Sequence, residues 1–191
     1  MKNNKVLAII PARDGSKRLP NKNLSKIHGK TLIEHCIDIC IQSIYIDKVV
    51  FYSDSIDMQE IVRNKYPNVE LPHRENVNDK EDILESVKEL LNQYPEYNTI
   101  VILQVDHPAK TVYLLNKCIL KLIDSNSEDL ITVKNGFRTG NIRVMSRESL
   151  LRGTPTSHII IVPDDDYYID IHTKEDLEKA RKTIPKYYME E

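Results

Sequence analysis

Basic and small residues follow the first apolar run of the chain, Val6 to Ile10, which Pro11 is expected to end. They include Arg13, Gly15, Ser16, Lys17, Arg18, Pro20 and Lys22. Cationic side chains and backbone N–H groups at the carboxyl end of a buried strand can together hold phosphate groups. The loop matches neither the P-loop pattern nor the dinucleotide pattern GxGxxG. Its composition indicates a phosphate site of another kind, with a solvated basic loop as the alternative.

An acidic residue follows the most apolar run, Thr99 to Gln104, which is predicted to be the central strand. The segment reads Gln104-Val105-Asp106-His107-Pro108. Mg²⁺ prefers carboxylates together with phosphate oxygens and water, so Asp106 is a candidate metal ligand. The alternative is an aspartate that caps a turn before Pro108. His107 could be a further ligand or a general base, although a lone loop histidine is more often neither.

Strand and helix patterns alternate along the chain. The predicted strands are Val6 to Ile10, Lys48 to Tyr52, Asn68 to Leu71, Thr99 to Gln104, Asp129 to Val133, Asn141 to Met145 and His158 to Val162. The predicted helices are Lys30 to Ser43, Ile56 to Tyr66, Asp79 to Tyr94, Lys110 to Ser125 and Lys174 to Ile184. This alternation predicts a three-layer α/β fold with a mostly parallel central sheet.

The carboxyl ends of parallel strands share one rim, where such sheets bind their ligands. We therefore expect the Arg13 loop, Asp54 and the segment after Gln104 to lie together. Asp54 or Ser55 could instead serve only as the N-cap of the helix that follows. Thr173 is the predicted N-cap of the last helix, with Asp176 in its first turn.

Length and composition limit the number of domains, the kinds of partner and the expected location of the protein. The 191 residues suit one domain, 1–191, and the net charge of −2 gives no case for binding nucleic acid or an anionic membrane. Cys36, Cys40 and Cys118 fit helical core positions, and no second Cys/His pair completes a metal site. The apolar run near the N-terminus is too short for a signal peptide and no run is long enough to span a bilayer, so a cytoplasmic location is expected.

The first loop resembles a family signature. Its residues Pro11-Ala12-Arg13-x-x-Ser16-x-Arg18-Leu19-Pro20-x-Lys22 are similar to the N-terminal motif of the cytidylyltransferases that activate sugar acids, which include the CMP-sialic acid and CMP-KDO synthetases. The resemblance implies a Rossmann-like nucleotidyltransferase fold of the glycosyltransferase-A-like kind. It also implies transfer of CMP from CTP to a sugar acid or a similar acidic acceptor, with release of pyrophosphate and a requirement for Mg²⁺, with Mn²⁺ as the alternative ion.

Two later segments extend the resemblance and imply a metal site. Gln104-x-Asp106-x-Pro108 is similar to an element of the CMP-KDO branch whose aspartate binds the metal. Tyr168 to Leu177 is similar to the family's late element, Asp-Ile-Asp followed by Thr/Ser-x-x-Asp-Leu. Asp170 matches the first aspartate of that element, and His172 stands where the family has the second. The implied ligands are Asp106, Asp170 and His172, and an imidazole suits Mn²⁺, Co²⁺ or Zn²⁺ better than Mg²⁺.

The resemblance also assigns the other site residues. The implied catalytic residues are Arg13, Lys22, Asp106 and Asp170. The implied nucleotide-binding residues are Ala12, Arg13, Gly15, Ser16, Lys17, Lys22, Asn23 and Gln104. The loop around 78–82 does not clearly keep the family's serine-rich pattern. The expectation that CTP is the nucleotide therefore rests on the family resemblance alone. The acidic run Asp164-Asp165-Asp166 is interpreted as a solvated loop.

One family element is missing. Family members usually carry some tens of residues near Lys134 to Thr139, and that insert forms a dimer arm that also contacts the sugar acid in the partner's site. A homodimer of this chain would therefore have to form in another way. Candidate anchors for an acidic acceptor are His73, Arg74, Arg138 and Arg143, each of which could instead be a surface charge. Two alternatives stay open: a nucleotide-binding relative with impaired catalysis, and a cytidylyltransferase for a phosphate or phosphonate acceptor.

Overall fold

The computed structural model describes residues 4–74, 82–162 and 168–189. Its strands are β1 (Val6–Ala12), β2 (Lys26–Ile27), β3 (Lys30–Thr31), β4 (Lys48–Ser53), β5 (Thr99–Leu103), β6 (Asp129–Lys134), β7 (Phe137–Ser146) and β8 (His158–Ile161). Its helices are α1 (Leu32–Gln42), α2 (Ile56–Lys65), α3 (Ile83–Leu90), α4 (Val112–Ile123), α5 (Arg147–Arg152) and α6 (Lys174–Thr183). In this part of the chain, every helix is too short or too polar to cross a membrane.

A six-stranded sheet in the order β4-β1-β5-β7-β6-β8 forms the middle layer. β1 runs parallel to β4 and β5, and β6 runs parallel to β8, whereas β7 is antiparallel to both β5 and β6. Every residue of β1 and of β5 is buried, as expected for strands that are covered on both faces. The predicted mostly parallel α/β sheet, with Thr99–Leu103 at its centre, is confirmed.

Helices cover both faces of the sheet. Alternate residues of β1 point to opposite sides, so that Ala8 packs with α1, α2, α4 and α6, whereas Ile9 packs with α3 and α5. Cys36, Cys40 and Cys118 are free and buried in the first of these cores, as predicted. Burial raises the pKa of Cys36 to about 11, so its thiol stays protonated and behaves as a small apolar group.

Several element boundaries differ from the sequence predictions. β1 does not end at Pro11: its pairing with β5 stops at Ile9, but its pairing with β4 continues to Ala12. A strand with two neighbours can lose one ladder and keep the other. α1 begins at Leu32 rather than Lys30, because Lys30–Thr31 pairs with Lys26–Ile27 as a short hairpin.

The strand predicted from Asn68 to Leu71 is wrong. Glu70 makes only an isolated bridge to Val50, and His73 makes another to Ser53. Pro67 and Pro72 flank this segment, and neither has the N–H group that a continuous ladder needs. Residues 75–81 lie outside the described residues, and with them the predicted start of the helix at Asp79. The acidic run 164–166 also lies outside them.

A two-residue turn joins β6 and β7 at the place where the resemblance implies an insert. Lys134 pairs with Phe137, and between them Asn135 and Gly136 both have positive φ, 52° and 81°. This is the Asn-Gly turn that suits a tight hairpin. β7 therefore begins at Phe137 and not at Asn141 as predicted.

A capping box fixes the start of α1. The Glu34 N–H donates to Thr31 Oγ1 at 3.2 Å, and the Thr31 N–H donates to Glu34 Oε2 at 2.6 Å. Lys65 Nζ, on α2, donates to Glu34 Oε1 at 2.6 Å. Although burial opposes ionisation, the hydrogen bonds from Lys65 and Thr31 lower the pKa of Glu34 to about 2.

We expect Glu34→Gln to lower the free energy of unfolding by about 1 kcal/mol near neutral pH, because the variant loses the charged partner of Lys65 and a strong acceptor of the capping box. The folded-state pKa lies below the ordinary value of 4.5, so this contribution is present above about pH 4.5 and fades as the pH falls toward 2. Urea unfolding near neutral pH and at about pH 3 measures it. Glu60→Gln, at an exposed position of α2, is the control, and a deficit of equal size at both pH values would contradict the assignment.

Candidate active site

A cavity of about 530 Å³ opens at the carboxyl ends of β1 and β5. Its lining includes most of the predicted site residues: Ala12, Arg13, Ser16, Lys17, Lys22, Asn23, Gln104, Asp106 and His172. Pro11, Arg18, Arg74, Ile83 and Val105 also line it. A hollow of about 660 Å³ lies elsewhere, beside Lys48 at the amino end of β4, where no predicted site residue falls. The cavity at the carboxyl rim is therefore the candidate site.

Short hydrogen bonds hold the basic loop against the rim. Asp54 Oδ1 accepts from the Asp14 N–H at 2.8 Å, and Asn23 Nδ2 donates to the Arg13 carbonyl oxygen at 3.1 Å. Ser55, rather than Asp54, caps α2. Gly15 has φ +74°, which favours glycine, and it does not line this cavity. Asp54 and Asn23 thus brace the loop that carries Arg13.

Two carboxylates from separate segments meet beside the basic loop. The Ile171 N–H donates to the Asp106 carbonyl oxygen at 3.0 Å and so joins the two segments. Lys22 Nζ donates to Asp106 Oδ2 at 2.8 Å, and His172 Nε2 lies 2.8 Å from Asp170 Oδ2. The Oδ1 atoms of Asp106 and Asp170 are both buried without a hydrogen-bond partner among the described residues.

His107 completes this cluster. Its Nε2 lies 3.8 Å from Asp106 Oδ1 and 3.9 Å from Asp170 Oδ1, and the three atoms all lie within 4.8 Å of one another. The sequence analysis names Asp106 and Asp170 as candidate metal ligands, and their side chains lie close together in the structure. Their unpartnered oxygens fit a divalent cation. The ligand role of His172, which pairs with the other oxygen of Asp170, stays a prediction.

Burial and charge act differently on the two acids. Burial alone would raise the pKa of Asp106, but the charge and hydrogen bond of Lys22, together with His107 and Lys110, leave that pKa below its usual value. Burial and the charge of Asp106 raise the pKa of Asp170. Burial also lowers the pKa of His107 to about 4, so its imidazole is neutral near pH 7. The pair of carboxylates therefore favours a cation that can neutralise both.

Lys110 lies directly beneath the cluster, and sequence reasoning missed it. Only 3% of this residue is exposed, and its Nζ donates to the carbonyl oxygen of Gln104 at 2.6 Å and to that of His107. These carbonyl groups bracket Asp106, so one ammonium group fixes the backbone on both sides of the metal-ligand candidate. No spacing pattern marks this lysine, which the sequence places at the start of a predicted helix; α4 in fact begins at Val112.

A second cavity of about 490 Å³ lies next to the first and shares Gln104 and Ile83 with it. Arg138 and Arg143, from β7, line it. Arg143 already forms a two-point pair with the fully buried Asp129, at 2.9 Å from both Nε and a terminal nitrogen. Arg138 is exposed, so of these two arginines it is the better placed to meet an anion.

The other proposed anchors lie elsewhere. Arg74 is 4% exposed, with its guanidinium 5.1 Å from the centre of the Tyr52 ring and a hydrogen bond of 3.1 Å to Ser86 Oγ. It faces the first cavity rather than the second. His73 is exposed and takes part in the bridge to Ser53.

Comparisons with known proteins agree with this arrangement. A family model described as cytidylyltransferase matches residues 7–182. The N-acylneuraminate cytidylyltransferase of Escherichia coli O18:K1:H7 (strain RS218 / NMEC) is 35% identical over 106 residues, which cover 56% of this chain and 25% of that relative. The matched part thus spans about a quarter of the relative's length.

Two solved structures share the fold. A structure of CMP:2-keto-3-deoxy-manno-octonic acid synthetase complexed with CTP has a TM-score of 0.75 at 17% identity, and the match covers 93% of this chain and 97% of that one. Rv0371c of Mycobacterium tuberculosis H37Rv, in a complex with manganese, has a TM-score of 0.71 at 14% identity, with 95% and 100% covered. Both likenesses concern the fold.

We expect Lys110→Met to lower the free energy of unfolding by roughly 2–3 kcal/mol, because the carbonyl groups of Gln104 and His107 lose a charged donor in a buried place. Lys117→Met, at an exposed position of α4, removes the same charge from the surface and should change stability by less than about 0.5 kcal/mol. Urea unfolding followed by circular dichroism measures both variants. Equal stability of the two variants would show that the buried ammonium group does not hold this turn.

Proposed function

Because the chain belongs to the cytidylyltransferase family, we propose that it transfers CMP from CTP to a sugar acid or a similar small acidic acceptor and releases pyrophosphate. The observation that carries the proposal is the single cavity in which the basic loop faces Asp106. The name of the bacterial relative, N-acylneuraminate cytidylyltransferase, supports a sugar acid as the acceptor. The fold neighbour with bound CTP supports the nucleotide.

The basic loop would bind the triphosphate. Arg13, Lys17 and Arg18 can pair with phosphate oxygens, and Ser16 can donate its hydroxyl hydrogen. In such a reaction an acceptor oxygen attacks the α-phosphorus in line and pyrophosphate leaves, so catalysis depends on positioning and charge neutralisation. Lys22, which is paired with Asp106, lies where it can contact both the phosphates and the metal-ligand carboxylate.

We propose that Asp106 and Asp170 hold a divalent cation. When bound, such an ion supplies charge neutralisation at the phosphates and a lower pKa for the acceptor hydroxyl group. Lys22 and His172 occupy the outer oxygens of the two carboxylates and so keep the inner oxygens turned toward each other. The manganese complex of the fold neighbour supports a metal-dependent site.

The acceptor would occupy the second cavity. Gln104 forms part of the wall of both cavities, so its amide can contact the nucleotide on one side and the acceptor on the other. Arg138 would attract the acid group of the acceptor. The cavity lies beside a two-residue hairpin turn and not beside a long arm, which favours a small acceptor.

A nucleotide-binding relative without turnover is the second candidate. The observation that favours it is His172, which stands where the family has an aspartate and is 2.8 Å from Asp170 Oδ2. An imidazole at this distance would compete with a metal ion for that carboxylate. This candidate predicts nucleotide binding without release of pyrophosphate.

We expect pyrophosphate release with CTP, a divalent metal and one sugar acid or related acceptor. Arg13→Ala and Asp106→Asn should each lower kcat/KM by about a hundredfold or more, since each removes a charge that neutralises or organises the triphosphate. Arg63→Ala and Asp57→Asn, at exposed positions of α2, are the matched controls and should keep wild-type turnover. A coupled pyrophosphate assay across all four nucleoside triphosphates and a panel of acidic acceptors measures this.

The outcome of this assay separates the candidates. Turnover that persists in Arg13→Ala or Asp106→Asn would overturn the site assignment. CTP binding without turnover on any acceptor would favour the second candidate. Absence of both CTP binding and turnover would overturn the proposed function.

A second prediction concerns Gly140, which has φ +65°. A Cβ atom at this position would lie 2.5 Å from Gln104 Oε1 and 3.0 Å from Gln104 Nε2. Gly140→Ala should therefore displace the Gln104 side chain from the wall between the cavities and lower kcat/KM for the acceptor by about tenfold.

Gly136→Ala separates this effect from backbone strain. Gly136 also has positive φ, 81°, but a Cβ atom there would meet no atom of the described residues within 4 Å. Both variants should lose similar stability, while only Gly140→Ala should lose activity. Equal kinetics in the two folded variants would show that the position of Gln104 does not matter for turnover.

A further inference from the structure

We propose that His107 supplies a nitrogen ligand to the ion held by Asp106 and Asp170, so that this site prefers first-row transition ions to Mg²⁺. This inference rests on the proposed function, because it concerns the metal site of the same reaction. It assigns the imidazole ligand to His107. The family resemblance implies His172 instead.

The separations between His107 Nε2 and the two carboxylate oxygens support a shared ion. His107 Nε2 stands 3.8 Å from Asp106 Oδ1 and 3.9 Å from Asp170 Oδ1. These separations are too long for hydrogen bonds, which need about 2.7–3.2 Å between the heavy atoms. Donor atoms that bind one ion at about 2.0–2.2 Å each stand roughly 3–4 Å apart. The separation of Nε2 from each carboxylate oxygen thus suits two ligands of one ion rather than a hydrogen bond, and the three donor atoms all lie within 4.8 Å of one another.

The burial of His107 and of the two carboxylate oxygens also supports a shared ion. His107 is only 3% exposed; its Nε2 faces the two carboxylates at 3.8 and 3.9 Å, and its Nδ1 is buried without a hydrogen-bond partner among the described residues. The Oδ1 atoms of both carboxylates are buried and equally without partners among the described residues. Leaving a buried polar group without a partner costs about 1–3 kcal/mol. A shared cation would offset that cost for both oxygens at once, and Nε2 lies beside them as a third donor atom.

Neighbouring side chains orient the three donor atoms, and His172 is not one of the three donors. Lys22 holds Asp106 by its other oxygen, Oδ2, and His172 holds Asp170 in the same way. The Tyr168 ring stacks on the imidazole, with ring centres 5.3 Å apart and planes inclined by 24°, and so fixes the orientation of His107. A ligand set that is held in place before the ion arrives binds it without reorganisation.

The donor set determines the preference among ions. Mg²⁺ favours oxygen ligands in a near-octahedral arrangement and retains its waters. Imidazole suits softer first-row ions, and the affinity of a given site rises in the order Mn²⁺, Fe²⁺, Co²⁺. A site with two carboxylate oxygens and one buried imidazole nitrogen should therefore bind Co²⁺ and Mn²⁺ more tightly than Mg²⁺.

The test measures ion binding to the folded chain in the absence of nucleotide. Titration calorimetry gives the affinities for Mg²⁺, Mn²⁺ and Co²⁺. Pulsed electron paramagnetic resonance on the Mn²⁺-loaded protein detects a directly bound ¹⁴N nucleus. We expect a nitrogen coupling in the wild-type protein and an affinity for Co²⁺ that is about a hundredfold or more above that for Mg²⁺.

Histidine variants assign the nitrogen. His107→Gln should lose the ¹⁴N coupling and about tenfold or more of its Co²⁺ affinity, with a smaller change for Mg²⁺. His172→Gln should keep the nitrogen coupling. So should the control His158→Gln, because His158 lies on β8 and its side chain contacts Asp129 of β6. Circular dichroism checks that each variant is folded. Should His107→Gln fail to fold, the coupling in the wild type and its survival in His172→Gln still decide the question.

Wild-type protein that binds Mn²⁺ without a nitrogen coupling would overturn the inference, and so would a coupling that disappears in His172→Gln. In either case CTP turnover could persist, and the proposed function would stand. Conversely, a nitrogen-coupled ion in a chain that neither binds nor converts CTP would support the metal site while overturning the proposed function.

Discussion

The buried ammonium group of Lys110 is the interaction on which the active-site rim depends. A cation that is only 3% exposed is costly unless its hydrogen-bonding capacity is used, and here it donates to the carbonyl oxygens of Gln104 and His107. Those carbonyl groups lie on either side of Asp106. The chain therefore cannot relax at this turn without leaving a charge unpaired in the core. Gln104, Asp106 and His107 acquire fixed directions from one side chain that never faces the cavity.

The positive charge beneath the rim also explains why acidic residues can gather there. Lys110 lies below the cluster, and Lys22 contacts Asp106 from the basic loop at 2.8 Å. Asp170 pairs with His172 at 2.8 Å, and its pKa is raised by burial and by the charge of Asp106. The site thus has one firmly ionised carboxylate and one that gains most from an added cation, which is the asymmetry expected before a metal ion binds.

The sequence predicted the layers of the fold better than the details of the site. Continuous apolar runs identify β1 and β5, because strands that are buried on both faces leave few polar positions. The short helix α5 was missed, since six residues are too few to display a helical period. Asp106 could be found from its place after a buried strand. Lys110 could not, because its burial and its carbonyl partners arise only when the turn after β5 folds back on itself. His107 was noticed only as a neighbour of Asp106, because Asp170 and Tyr168 come from a segment some sixty residues away.

Because the β6–β7 hairpin is short, most contacts to an acceptor would have to come from other residues of the site. In the second cavity Arg143 is already neutralised by the buried Asp129, and Arg138 is exposed to solvent, where an ion pair contributes little. An acidic acceptor would therefore gain little affinity from the β6–β7 hairpin by itself. Charge neutralisation would have to come from the side of the cavity that Gln104 shares with the nucleotide and with Asp106. It follows that acceptor binding should depend on prior occupation of the first cavity, because the strongest local cation would then be the ion held there and not an arginine of this chain.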